Sequence, residues 1–249
     1  INSYSEIDTK MKEPSKNKEL KLTATYYTST YYALMKKNKK DLKLKESDQV
    51  DLFYRSCFLF CIQIMFNMVL FLYSGMQFNF IRKTEVCVSL FFTVLMLHLT
   101  CLPIARDGIG MMKYVVVHND EFTHPISAFI LGFFAMITMI IAEVVNISNS
   151  QNKKTVADAI AGFIGFKIII DLPKIYMDSM EEFKPKNLVG KLTLKMSRRN
   201  PDRPKMQSDW FFNSLFVVFN VFYKSLFFYF IPFATILYPM VKSLEGNVA

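Results

Sequence analysis

Histidine and cysteine are scarce in this chain, and their scarcity excludes a good deal. There are three histidines and four cysteines in 249 residues. His98, His118 and His124 are scattered, and no His-Glu-x-x-His, Gly-x-Ser-x-Gly or Walker loop occurs. No Cys/His cluster has the spacing of metal ligands, so neither a metal nor another cofactor is expected. Cys57, Cys61, Cys87 and Cys101 all lie in apolar runs and form no Cys-x-x-Cys. They read as small buried or lipid-facing residues rather than as a disulfide framework. The first forty residues hold no apolar signal-peptide region. Internal repeats and inverted pairs of broken helices, the marks of many secondary transporters, are also missing. Together these absences disfavour an enzyme.

What is present is segregated. Hydrophobic residues make up 52% of the chain and charged residues 20%, and the two are sharply separated along it. Apolar runs of about 18 or more residues are long enough to cross ~30 Å of hydrocarbon. The expected fold class is therefore all-α, an integral membrane bundle of about five transmembrane helices. The expected spans are 52–73, 86–104, 125–146, 155–177 and 210–241, with a basic arm at 1–49, a basic loop at 178–209 and a short tail at 242–249. As a single helix the last run would be about 48 Å long, so it must tilt, bend or emerge, with Pro232 the expected bend and Pro239 the expected exit.

The arm contains LTATYYTSTYYALM at 22–35. Tyrosine favours the membrane–water interface, so a helix lying on the surface is expected there, with Tyr27, Tyr31 and Leu34 on one face. The following KKNKKDLKLK holds six lysines and one Asp. Lys36, Lys37, Lys39 and Lys40, with Arg198, Arg199 and Arg203 further on, are candidates for contact with anionic headgroups or a protein partner. The alternative is a charge block that only sets topology. Gln63 and Asn67 share a helical face and are expected to bond across helices. His98 reads as a packed or hydrogen-bonded residue rather than a proton carrier. The stretch 105–123 reads as a loop. Its Gly-x-Gly neither follows a strand nor opens a nucleotide-binding unit. HNDEFTH at 118–124 reads as a weak metal or proton site, or more simply as a solvated loop.

The fourth span carries both charge and small residues. Thr155 and Asp158 form a pair like a capping box, and Asp158 also suits the positive end of the helix dipole. Lys167 and Asp171 are spaced to pair within the helix, and Pro173 is expected to kink or end it. Ala157, Ala161 and Gly165 form a small-residue stripe, which makes this helix the expected packing centre. Glu143, Asp158, Lys167, Asp171 and Lys224 are the candidate intramembrane charges, with Glu143, Asp158 and Lys224 able to form one acid–base group.

The net charge of +9 reads as lysine retained on one membrane side rather than as a nucleic-acid footprint. Eleven Lys or Arg lie in residues 1–49, two in each of the first three loops, nine in 172–209 and one in the tail. Five spans put the arm, the second loop and 172–209 on one side, twenty-two basic residues against five. The positive-inside rule then places the N-terminus in the cytosol or matrix. Expected partners are membrane lipids, anionic ones included, and other membrane subunits or further copies of the chain. Two functions stay open: a non-catalytic structural or assembly subunit, and an ion or proton channel or transporter using the intramembrane charges.

LGFFAMITMIIAEVVNI at 131–147, and the pattern Asp158, Phe163-Ile164, Ile170-Asp171-Leu172, Ile175-Tyr176, resemble a group of multi-span membrane proteins of ciliated protozoa. The resemblance covers mainly residues 131–178. It implies a shared helical membrane core and brings no activity and no functional residues. Lys167 and the small residues of 157–165 depart from that pattern.

Overall fold

The computed structural model describes residues 18–74, 83–150 and 152–180, together with 185–186, 194–196, 214 and 218. Within these the fold is helical, with one short β-ladder. In order come β1 (Lys18–Leu20), α1 (Tyr26–Ala33), α2 (Lys36–Asp41), α3 (Glu46–Ser74), α4 (Thr84–Val117), a 3-10 turn (Asn119–Glu121), α5 (Pro125–Ser150), α6 (Val156–Ser179) and β2 (Leu194–Met196). β1 and β2 pair antiparallel, Glu19 opposite Lys195.

Three of these helices, α3, α4 and α5, are long and apolar enough to cross a membrane. They alternate in direction. The approach of Gly108 to Gly132, and of His98 to Glu143, makes α4 and α5 antiparallel. Glu46, at the start of α3, lies 3.6 Å from His124, just before α5. Gly162 of α6 faces Asn149 near the end of α5. The start of α3, the end of α4, the start of α5 and the end of α6 therefore share one end of the bundle.

Local chemistry fixes several boundaries. Thr25 and Thr28 form a complete capping box at α1: Thr28 N–H donates to the Thr25 hydroxyl oxygen at 3.3 Å, and Thr25 N–H to that of Thr28 at 2.9 Å. Lys43, in the exposed turn between α2 and α3, adopts φ 51°, the left-handed region that a non-glycine residue enters only under constraint. Glu46 and Asp48 sit in the first turn of α3, where the helix dipole favours acids. Pro125 opens α5, where its missing N–H removes no bond.

Three expectations change. The second helix does not end near residue 104; α4 continues to Val117 through Pro103 and both glycines of RDGIG. The first of them, Gly108, serves packing against Gly132 of α5. A Cβ on Gly108 would lie 2.6 Å from the Gly132 carbonyl oxygen, and one on Gly132 2.7 Å from that of Gly108. Only glycine at both positions lets the two backbones come this close. Pro173 lies inside α6, which runs six residues further, in keeping with a span expected to reach 177. The tyrosine-rich segment does not lie on a surface: all eight residues of α1 are buried, and α1 packs against α3, α5 and α6. Finally, α5 is the buried axis of the bundle, not α6. Half of α5 is buried, whereas Ala157 and Ala161 on α6 are exposed and a Cβ on Gly165 would meet nothing within 4 Å. The expected fifth span, 210–241, falls outside the described residues apart from Ser214 and Val218, both helical.

Candidate functional site

The chemistry-bearing side chains collect in the interior, in two groups separated by the Gly108–Gly132 crossing. The first surrounds α1. Gln49, Ser56 and Gln63 recur every seven residues along α3 and are all buried, so one side of an apolar helix is a polar stripe. Each meets α1. Gln49 Nε2 donates to the Ala33 carbonyl at 2.7 Å. Ser56 Oγ lies 3.3 Å from Thr30 Oγ1. Tyr27 Oη donates to Gln63 Oε1 at 2.7 Å.

Gln63 also reaches α6, donating from Nε2 to the Ile169 carbonyl at 2.8 Å. Pro173, four residues after Ile169, has no N–H to give that carbonyl. The amide thus takes over the helix bond that proline removes, which explains how Pro173 is tolerated inside α6. Asn67, the other half of the expected amide pair, bonds back to Gln63 O within α3 rather than across helices.

The seat is completed by α4 and α6. Tyr31 Oη donates to the Met111 carbonyl at 3.1 Å, and Ser29 Oγ meets Met177 Sδ at 3.0 Å. Tyr26 packs edge-on against Tyr176, and Tyr31 against Phe122. Asp107 closes the approach to α1: one of its carboxylate oxygens accepts from both the Thr23 N–H and the Thr23 hydroxyl, at 2.6 Å each. On the far side of α1, Thr123 N–H donates to the Leu34 carbonyl at 3.0 Å, and Lys36 Nζ to the Asp120 carbonyl at 2.7 Å. Burial holds the tyrosine phenols neutral. Tyr32 is pushed up to about 12, by burial and then by the Asp107 charge. Tyr26 is also raised, by burial and then by Tyr176, and Tyr31 well above its usual range, by burial first.

The second group lies beyond the crossing. Glu143 is 3% exposed and His98 2%, and His98 Nδ1 lies 3.0 Å from Glu143 Oε1. Cys101, one turn from His98, is buried in the same region. His98 is thus hydrogen-bonded, as its isolation suggested. Its partner could have been found from register: His98 lies ten residues before Gly108, and Glu143 eleven after Gly132, on antiparallel helices. Lys167 and Asp171 form the expected ion pair within α6, partly exposed.

The triad of Glu143, Asp158 and Lys224 is not what the bundle assembles around Glu143. Glu143 is engaged by His98. Asp158 is exposed at the start of α6, its N–H donating to Thr155 Oγ1 at 3.1 Å. Lys224 lies outside the described residues.

Lys36, Lys37 and Lys40 are exposed and Lys39 partly so, whereas Arg198, Arg199 and Arg203 lie outside the described residues. In HNDEFTH, His118 stacks on Tyr114, whose hydroxyl donates to Glu121 at 2.8 Å. No group of three metal-ligating side chains occurs among the described residues. No protein family, curated protein or solved structure matches the chain.

Proposed function

We propose that this is a non-catalytic multi-pass membrane protein, a structural or assembly subunit of a larger membrane complex. The observation that carries the reading is the filled interior. The space between α3, α5 and α6 is occupied by the chain's own α1, buried at all eight positions. The outward faces are apolar: Phe58, Met65, Phe66, Val69 and Leu72 on α3, and Phe92, Met96 and Leu99 on α4, are exposed. Such faces suit lipid or neighbouring subunits.

In this reading α6 is a fourth span, because it lies antiparallel to α5 and its 24 residues reach about 36 Å. Residues 210–241 supply a fifth. The end shared by α1 and residues 118–124 faces the cytosol or matrix, where Lys36, Lys37, Lys39 and Lys40 meet anionic headgroups. The likeness of residues 131–178 to ciliate multi-span proteins belongs to the same reading.

Purification in mild detergent is the test. A stoichiometric assembly that passes no ions after reconstitution supports the subunit. A lone chain whose liposomes carry ion flux, lost in Glu143→Gln, overturns it. The buried His98–Glu143 contact favours that second reading, an ion or proton pathway, since ionisable side chains are expensive at membrane depth and commonly functional.

A further inference from the structure

We propose that residues 23–35 form a removable plug: α1 is docked in a polar slot between the long helices, latched by Asp107, and its departure opens that slot to water. The proposal does not depend on whether the chain is a subunit or a pathway.

Three observations carry it. The first is the composition of the joint. α4 and α5 meet mainly through apolar and small side chains, with His98–Glu143 as the polar exception. α1 instead offers Thr28, Ser29 and Thr30 and four tyrosines, all buried. It is met by a stripe of Gln49, Ser56 and Gln63 and by the backbone carbonyls of Met111 and Ile169, the latter through Gln63. The polar side of this joint can be hydrated when the two parts separate, while its other side packs Ala33 and Leu34 with Leu59, Leu131 and Ala135.

The second is connectivity. α1 reaches the bundle through the exposed helix α2 and the left-handed turn at Lys43. It can therefore move without unwinding α3. The third is the fastening. The bonds that flank α1 lie at its two ends: Thr23 to Asp107 before it, and Leu34 to Thr123 after it. Asp107 is buried and gives Thr23 two charge-assisted bonds through a single residue, which makes it the point where the plug is most easily released.

The slot left behind has the chemistry of a seat for a short hydroxyl-rich helix. Its native occupant is the chain's own segment.

The test is thiol accessibility in lipid nanodiscs, with the four native cysteines replaced by alanine. Ser56→Cys reports on the slot and Met139→Cys on the α4–α5 core, both buried positions. With the latch intact, both cysteines should resist a membrane-impermeant thiol reagent. Asp107→Ala should speed labelling of the slot reporter at least tenfold, on the order of the loss expected from two charge-assisted bonds. Thr23→Val, which alters only the plug side and keeps the backbone bond, should speed it about threefold. The core reporter should stay protected in Thr23→Val. A slot reporter indifferent to both substitutions overturns the proposal. So does parallel exposure of both reporters in Thr23→Val, since α1 would then be core that melts with the bundle.

Discussion

α1 and α3 are opposites. α1 is a short segment of tyrosine, threonine and serine, and all of it is buried. α3 is long and apolar, and much of its apolar surface is exposed, Tyr54, Phe58, Met65 and Leu72 among it, while Gln49, Ser56, Gln63 and Asn67 are buried. In water this arrangement would be inside out. In a bilayer it is the low-energy choice, because lipid solvates Leu and Phe as well as a core does, and a polar group there must find a partner on another helix. On α3, polarity rather than apolarity marks the inner side.

The comparison breaks most completely where the inner sides touch without any side chain. Gly108→Leu would force a side chain into the Gly132 carbonyl and the Met136 backbone. Neither can move without displacing a helix, so the loss should exceed about 3 kcal/mol, above the usual cost of overpacking. Steric-trap or denaturant unfolding in bicelles measures it. Next in size is the buried pair. His98→Leu removes the imidazole that meets Glu143 Oε1, and losing one partner of a buried polar contact costs about 1–3 kcal/mol. His98→Leu combined with Glu143→Leu should recover most of this loss, since an apolar pair of similar volume replaces a buried polar one at little net cost. A double mutant as unstable as the single one would mean that the contact is not what holds Glu143 in place.

The polar joint should respond more mildly. Gln63→Leu removes two bonds at once and leaves the Tyr27 hydroxyl and the proline-freed Ile169 carbonyl without that partner. Interhelical bonds in membranes contribute about 1–2 kcal/mol, so a loss near the upper figure is expected. Alkaline titration probes the same joint. The raised phenols of Tyr26, Tyr31 and Tyr32 lose their protons first in the released state, near the free-tyrosine value. Their stabilising effect is therefore complete below pH ~10 and declines as pH rises through the folded-state values. Tyrosine ultraviolet difference spectra should show α1 leaving in that window, ahead of any loss of helix from α3–α5.

How much of this was legible depends on whether the signal was local. The start of α5 at Pro125, the Thr155 cap and the Lys167–Asp171 pair were readable because each lies within four residues of its partner. The continuation of α4 was not. Arg-Asp-Gly-Ile-Gly reads as a loop unless one knows that Asp107 is satisfied by Thr23, 84 residues away, and that Gly108 faces Gly132. α1 was misread for a related reason. Tyrosines that want one apolar and one wet end suit the headgroup layer and a polar slot equally well, and composition alone does not separate them. The partners that decide, Gln63 and Met111, belong to other helices. Inner and outer stripes of small residues are also identical in sequence, so Ala157, Ala161 and Gly165 read as a packing face although Ala157 and Ala161 are exposed.

That last ambiguity gives the smallest prediction. Gly108 and Gly165 both sit inside helices, where each costs helix stability by ~1 kcal/mol relative to alanine. At Gly108 the backbone contact with α5 offsets the cost. At Gly165 nothing within 4 Å does. Gly165→Ala should therefore stabilise the isolated chain by up to about 1 kcal/mol, whereas Gly108→Ala should destabilise it. If the stripe of Ala157, Ala161 and Gly165 meets a second helix in an assembly, Gly165→Leu should weaken that assembly on native gels while leaving the unfolding of the single chain nearly unchanged. Equal assembly by Gly165→Leu and the unsubstituted chain would assign the stripe to lipid.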